Sequence, residues 1–404
     1  MLQQILLKTD GVPLFIEELT KTVLESSLLT HAGDRYELSG PLPPIAIPTT
    51  LHDSLMARLD RLAPVKEVAQ IGAVIGREFP HELLAAVATM SASQLDDALE
   101  QLVNSELVFR RGTPPEATYT FKHALVRDTA YQSLLKSRRR ELHARIAAVL
   151  EERFRDFTLT QPELFAHHYT EAQLTDRAID YWRLAGNRAS RRSANVEAVA
   201  HFRRGLRLLE SVPDTPANRE KILSFLVELG PALIATRGAG TPEVEATYRK
   251  ALDVAERLPA SELHFTASWG WWRIASNMRI ALERADSLLQ LATPTADEEL
   301  ILQAHHCQWA THFHLGNHTD CLKHNDSGLQ LYDPDRYEHH ASIYGGHDPK
   351  VCGLGERALS LWLISYPDRA IESAARGIRW ARRIDHAGSI LHAIDVGGSY
   401  DQVE

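Results

Sequence analysis

Three groups of residues in this 404-residue sequence have types and spacings that bear on chemistry. The first is a histidine-rich stretch. Nine of the twenty histidines fall between His305 and His347, and all three cysteines, Cys307, Cys321 and Cys352, lie in or beside it. His305, His306, Cys307, His312, His314, His318 and His347 all carry donors that a transition metal accepts. Their spacing argues the other way. There is no CxxC and no HExxH, and His314 and His318 straddle Gly316-Asn317, a turn that separates the two rings. The sequence therefore predicts no metal site and reads these histidines as polar residues on helix faces and loops.

The second group centres on His123 in FKHALVRDTAYQSL, at the start of a predicted helix whose apolar face would be Leu125, Ala130, Leu134 and Leu135. A helix N-terminus favours anions and an imidazole there can donate to phosphate; a capped or half-buried histidine fits the same residues. The third is Asp10-Gly11-Val12-Pro13 ahead of a helical period at Phe15, Leu19 and Val23, predicted to run to Leu29. Gly11 frees the backbone for a close approach and Pro13 suits a first helical turn, as in many ordinary helix starts. Arg138-Arg139-Arg140 reads as a solvated helical face.

Catalytic machinery is missing from the pattern. No G-x-x-x-x-G-K-[ST] occurs, the glycine pair Gly72 and Gly76 in GAVIGRE lacks a lysine, and no apolar strand ends in magnesium-binding acids. No G-x-S-x-G occurs and the cysteines sit in no nucleophile motif. This chain is expected to be no enzyme and to hold no cofactor of its own.

Composition narrows the class further. The hydrophobic fraction of 44% and charged fraction of 24% are ordinary for a globular chain of two or three domains. Forty-four Lys and Arg against 53 Asp and Glu give a net charge of −9, which argues against a nucleic-acid or membrane-surface partner. With no bilayer-length apolar run, no signal-peptide pattern and too few cysteines for a disulfide framework, the expected location is cytoplasmic.

The elements that would position these residues are mostly helical. PLPPIAIP, from Pro41 to Pro48, has four prolines in eight residues and reads as a linker. Beyond it, Leu51, Leu55, Leu59 and Leu62 form one helical stripe, Pro64 opens a second helix to about Ile75, and HELLAAVA forms a third. Ser93-Gln94-Leu95-Asp96 looks like a capping-box start, with Leu95, Leu99, Leu102 and Val103 on one face of a helix to Glu106. Leu107 to Arg110 and Thr118 to Phe121 read as a β-hairpin. Helices followed by a hairpin predict a winged helix-turn-helix over 49–150. A DNA-reading role for it meets a physical objection: the helix from Gln94 to Glu106 carries Asp96, Asp97, Glu100 and Glu106 and no base, so it would repel phosphate.

From residue 177 onward the pattern is one of helical hairpins. Trp182, Ala185 and Ala189 would face Ala198, Phe202, Gly205 and Leu209, with Gly186 on the first helix, large residues opposite small ones as in a tetratricopeptide repeat. Looser copies follow: Leu226 and Gly230 with Tyr248 and Ala251; Trp269–Ile274 with Ala281–Leu291; Ile301–Leu315 with Cys321–Leu331; and Leu354–Ile364 with Ala370–Arg383. Trp182, Gly186, Ala198, Phe202, Gly230, Tyr248, Cys321 and Ala370 are the expected repeat-packing positions, Cys321 filling a small-residue slot.

Here the sequence acquires a resemblance. Asp10-Gly11-Val12-Pro13-Leu14-Phe15-Ile16-Glu17-Glu18-Leu19 resembles the G-x-P motif that closes the nucleotide-binding module of STAND-class signalling ATPases. FKHALVRDTAYQSL resembles their winged-helix sensor motif. WATHFHLGNH, LYDP and YGGHDPKVCGLGERALSLWL are similar to the repeats of the bacterial AAA/STAND ATPases fused to class III adenylate or guanylate cyclases. The resemblance runs from Gly11 to about His386. It implies that Pro13 packs on adenine and that His123 reaches the diphosphate of ADP, with Gly11 completing the motif. Ala124-Leu125 after the histidine matches the bacterial form rather than the plant one, which carries an Asp. The absent P-loop is the departure: ATP or ADP would bind only if a P-loop domain completes the site.

The organisation expected is thus a remnant of an ATPase helical lid with its Pro-rich linker over 1–48, a winged-helix domain and following helix over 49–150, connecting helices over 151–176, and tetratricopeptide-like repeats over 177–404. The class is mainly α, a winged helix-turn-helix followed by a tetratricopeptide-like α-solenoid. The function expected is regulatory: sensing nucleotide state and partner binding to control a cyclase or other output domain. The partners expected are a protein or peptide on the repeats and an upstream NTPase/cyclase module. The alternative is a winged-helix transcription regulator with a repeat sensor.

Overall fold

A computed structural model describes residues 13, 16–17, 20, 29–32, 35–38, 51–61, 63–336, 340–344 and 346–397. Gly11, and most of the helix predicted from Phe15 to Leu29, lie outside these residues. Its C-terminal residue Leu29 opens a strand instead, β1 (Leu29–Ala32), which pairs antiparallel with β2 (Arg35–Leu38). The chain divides into two compact units, residues 1–178 and 179–404.

The first unit begins with α1 (Leu51–Arg61) and α2 (Ala63–Ile75). β3 (Glu78–Pro80) leads into α3 (His81–Val87), and α4 (Ala92–Asn104) follows. The capping box of α4 starts at Ser91 rather than at Ser93: the Ser91 hydroxyl accepts from the Gln94 N–H, and the Gln94 amide oxygen accepts from the Ser91 N–H. The reason is chemical, since a capping box needs a Glu or Gln three residues on and only Ser91 has one. β4 (Val108–Arg111) and β5 (Thr118–Phe121) complete an antiparallel sheet of order β3-β5-β4. The sequence reading found the hairpin but not β3, whose three residues are too short for any alternation to show. Phe79 of β3 lies over Tyr119 and Phe121 of β5, and a side chain at Gly72 of α2 would strike its ring at 2.8 Å.

Beyond the sheet come α5 (Ala124–Gln132), α6 (Lys136–Arg153), α7 (Arg155–Thr160) and α8 (Pro162–Glu171). The expected apolar face of α5 is corrected here. Leu125 and Leu135 are exposed, the latter outside the helix, and Val126, Thr129 and Ala130 face inward. The chain turns at Ser133–Leu135, so the 3.6-residue period assumed across that point does not continue.

The second unit is a solenoid of helical hairpins. The pairs are α9 (Thr175–Arg191, which starts at the end of the first unit) with α10 (Asn195–Leu209), α11 (Pro216–Arg237) with α12 (Pro242–Ala255), and α13 (Glu262–Arg273) with α14 (Met278–Ala292). They continue as α15 (Glu298–His314) with α16 (His318–Gln330), then a short α17 (His340–Ile343), α18 (Pro349–Leu363) with α19 (Pro367–Ile384), and α20 (Ala387–Gly397). From α10 to α16 each helix packs on the next, and α16 packs on α18, α18 on α19 and α19 on α20. The first helices of successive hairpins, α11, α13, α15 and α18, also pack on one another, which makes them a continuous row.

A large ring set into a glycine notch recurs along this stack. Phe202 fills the space at Gly186, Phe225 that at Gly205, Tyr248 that at both Gly230 and Gly270, and Trp309 that at Gly328. A Cβ at any of these glycines would lie 1.9–2.6 Å from its ring, inside van der Waals contact. Glycine here sacrifices helix propensity to let two helices approach. Ala198, Cys321 and Ala370 are wholly buried small residues in the same packing layer. The turn between α15 and α16 needs Gly316, whose φ is +76°. No described helix is long and apolar enough to cross a membrane.

Candidate functional site

Helices α13, α15 and α18 of the first-helix row, with the start of α14 and with α20, line a pocket of about 230 Å³. Several separate stretches of sequence build it, among them the α13–α14 turn and the start of α14, which supply Ala275, Met278 and Ala281. Trp269, Trp272 and Arg273 come from α13; His306, Ala310, Thr311 and His314 from α15; His347 from the segment before α18; Cys352 and Glu356 from α18; and His392 from α20.

Its walls are held by identifiable contacts. The Trp272 indole N–H donates to Thr311 Oγ1 at 2.9 Å, and that hydroxyl donates to the Cys307 carbonyl at 2.7 Å. Trp269 packs edge-on to Trp272 and to Tyr344. His306 is buried and stacks on Trp309, itself wedged against Gly328. Asp348 caps α18, accepting from the N–H groups of Lys350 and Val351, while Tyr332 donates to its other oxygen at 2.7 Å. Ser389 accepts from the Asp348 N–H. These bonds fix the backbone beside His347, whose ring stacks on His392 at 3.9 Å and 10°.

A hydrogen-bonded chain runs back from the pocket floor. His306 Nδ1 donates to the Gln303 amide oxygen at 3.1 Å, and Gln303 Nε2 donates to His340 Nδ1 at 2.8 Å. His340 Nε2 lies 2.8 Å from Glu299 Oε1. Read as one network, this places the proton of His306 on Nδ1 and leaves Nε2 with a lone pair. Burial, reinforced by the neighbouring imidazoles and Arg273, pushes the His306 pKa well down, so the ring is neutral.

Burial favours the neutral forms of Cys352 and Glu356 as well. The Cys352 thiol is raised well above the ordinary thiol range, and the Glu356 carboxyl is pushed up to about 8. Glu356 is 6% exposed, yet its Oε2 has no hydrogen-bond partner among the described residues. One donor atom each of His306, His347 and Cys352 lies within 4.8 Å of the other two. At the rim Arg273 is exposed, with no carboxylate partner among the described residues. The site is an aromatic-walled cavity with neutral His306, Cys352 and Glu356 inside and the Arg273 guanidinium at its mouth.

The sequence-predicted residues are distributed as follows. Pro13 is exposed on a helical segment. His123 precedes α5 with extended backbone and makes no capping bond; its Nε2 is buried without a partner among the described residues. Next to it, Lys122 pairs with Glu17 at 2.7 Å, which brings the segment after Pro13 alongside the end of β5. Trp182 is buried, stacked on His201 with Arg204 over its ring. Gly186, Ala198, Phe202, Gly230, Tyr248, Cys321 and Ala370 are the packing residues described above.

Of the histidine-rich stretch, His306, His314 and His347 reach the pocket. His305 and His324 face each other at 3.0 Å outside it, with His312 stacked on His324. Cys307 is buried among Phe265, Trp269 and Tyr344, and His318 lies 3.3 Å from the Ser360 hydroxyl. Sequence reasoning missed Trp272, Arg273, Glu356 and His392. Only Glu356 carried a signal, as a carboxylate interrupting the otherwise apolar face of CGLGERALSLWL.

On α4 the acidic residues remain outward. Glu100 pairs with Arg110 of β4 at 2.7 Å and Asp96 with His81 at 3.0 Å, so Arg110 is already engaged by an acid.

No protein-family model matches the chain. It is similar to an uncharacterized protein of Rhizobium meliloti (strain 1021), 32% identical over 390 residues, covering 96% of this chain and 37% of that protein. The chain thus spans little more than a third of the length of this curated relative. Among solved structures it aligns with a Signal Transduction ATPase with Numerous Domains protein with a tetratricopeptide repeat sensor from Pyrococcus horikoshii, at a TM-score of 0.37 and 14% identity over 98% of this chain and 59% of that one. A Rap protein complexed with competence and sporulation factor aligns at a TM-score of 0.42 and 10% identity, over 86% and 88% of the two chains.

Proposed function

We propose that this chain is the regulatory, protein-interaction part of a STAND-type signalling ATPase of the cytoplasm. Its helical hairpins bind a peptide or protein segment, and its first unit, a winged helix, senses nucleotide held by a P-loop domain. The output is a cyclase or another attached domain. The observation that carries this reading is the pocket on the first-helix row. Stacked hairpins offer an extended surface for a partner chain, and here that surface has a cavity sized for one large side chain. Trp269 and Trp272 supply apolar wall, and the unpaired Arg273 guanidinium suits a carboxylate flanking the anchor. Burial holds Glu356 and His306 neutral, so they do not oppose an acidic segment.

The nucleotide arm rests on the resemblance together with two placements. The buried Nε2 of His123 lacks a partner, and the Lys122–Glu17 pair draws the segment after Pro13 to its side. A diphosphate oxygen would satisfy that nitrogen.

The test is selection of binders from a random peptide display library on the purified chain, followed by titration against variants. Enriched peptides sharing a bulky apolar residue beside an acid support the reading if Trp272→Ala and Arg273→Ala each weaken them at least tenfold. Enriched peptides indifferent to both variants contradict it. For the nucleotide arm, a chain rejoined to a P-loop domain should retain ADP less well with His123→Ala, and unchanged retention removes the phosphate contact.

A further inference from the structure

The pocket floor has a property that peptide binding does not use. His306, His347 and Cys352 come from three places in the chain, and one donor atom from each converges within 4.8 Å of the others. Two imidazoles and a thiolate are a donor set that zinc and cobalt accept, and that magnesium and calcium do not.

We propose that His306, His347 and Cys352 bind a divalent transition metal of the zinc class, with the Glu356 carboxylate as the fourth, charge-balancing group. Four observations lead to this. First, the network through Gln303 and His340 to Glu299 holds the His306 proton on Nδ1, and this leaves Nε2 as the lone-pair nitrogen. Metal-bound histidines are oriented in this way by a hydrogen bond from the other nitrogen. Second, Glu356 stands one helical turn beyond Cys352, on the same face of α18, and its buried Oε2 has no hydrogen-bond partner among the described residues. A buried orphan carboxylate oxygen is costly unless something binds it.

Third, the charges balance. A dication with one thiolate and one carboxylate is neutral, as a site so far from water requires. Metal binding releases the Cys352 thiol proton, and any proton on the Glu356 carboxyl, to solvent. Fourth, the geometry is reachable. Bond lengths of ~2.3 Å to sulfur and ~2.0 Å to nitrogen put tetrahedral donors about 3.5 Å apart, so small side-chain rotations close the triad. His347, on the segment before α18, is half-buried, and its ring lies edge-on to that of His306 at 5.8 Å.

The experiment uses the whole chain, stripped with chelator and titrated with cobalt(II). The expected result is one equivalent bound, with a thiolate-to-cobalt charge-transfer band in the near ultraviolet and intense tetrahedral d–d bands in the visible. Zinc should bleach both stoichiometrically. Cys352→Ser should abolish the charge-transfer band, His306→Gln and His347→Gln should each weaken cobalt at least tenfold, and Glu356→Gln should weaken it while retaining the band. Cys321→Ala should leave the spectrum intact. Far-ultraviolet circular dichroism identifies any variant that fails to fold; for such a variant, alkylation of wild-type Cys352 before titration replaces the mutation. No cobalt band in the stripped wild-type chain overturns the proposal, as does a band that survives loss of the Cys352 thiol. These optical readouts involve no peptide, so failure of the metal site and failure of the binding-surface reading are separable.

Discussion

Replacing Gly270 by alanine tests how the solenoid is assembled. The Cβ of an alanine there would sit 1.9 Å from Tyr248 Cε1 and 2.4 Å from its Cζ, where ordinary contacts begin near 3.4 Å. The ring has no easy retreat. It is 3% exposed, and Gly230 of α11 already touches the same edge, with its own Cβ position 2.4 Å from Cζ. Overpacking of this kind costs ~1–3 kcal/mol. It is offset only in part by the ~1 kcal/mol that alanine gains over glycine inside a helix. Tyr248→Ala alone should cost about 3–5 kcal/mol through loss of burial and the cavity left behind. In that background the clash is gone, so Gly270→Ala should change sign and stabilise by up to ~1 kcal/mol. The assay is built into the sequence: all seven tryptophans lie after residue 180, so tryptophan fluorescence during urea unfolding reports the second unit alone. Midpoints and slopes compared across wild type, both single variants and the double variant complete the cycle. If Gly270→Ala destabilises equally with and without Tyr248, the ring-in-notch account of the repeats is wrong.

Other consequences follow from the same coordinates. His143 and His168 are both fully buried in the first unit, their Nδ1 atoms 2.8 Å apart, with Tyr131 on His143 Nε2 and His167 and Arg139 nearby. Burial lowers the His143 pKa to about 4 from 6.5, so the unfolded chain binds its proton first, and stability that is intact above pH 6.5 is lost as pH falls through 4. The loss from His143 alone should approach about 3 kcal/mol, read by hydrogen exchange of segment 136–171; flat exchange between pH 7 and 4.5 would rule it out. Trp272→Phe removes the indole donor to Thr311 and should lower the second unit's stability by ~1 kcal/mol, visible as a lower urea midpoint. Gly316→Ala, at φ +76°, should cost ~1 kcal/mol in the same assay, while Gly316→Asn should cost less.

How much of this was readable beforehand depended on sequence distance. Phe202 against Gly186 and Tyr248 against Gly230 were legible because adjacent helices are joined by short turns, and the large–small spacing survives in the string. Tyr248 against Gly270 was not, because the second notch belongs to the next hairpin. β3 escaped because three residues carry no periodicity, and α5 was misfaced because the break at Ser133–Leu135 is marked by neither glycine nor proline. The pocket was least legible of all. His306, His347, Cys352 and His392 are brought together by stacking of α15, α18 and α20, and no local spacing encodes that.

The central claim is that the row of first helices is the partner-binding face, anchored at the tryptophan-walled pocket. The most direct measurement is hydrogen exchange of the whole chain with and without a saturating library-selected peptide. The account predicts new protection on α13, α15 and α18 around Trp272, His306 and Glu356, with little change on α16 and α19. Protection confined to those second helices, or to the first unit, would contradict it.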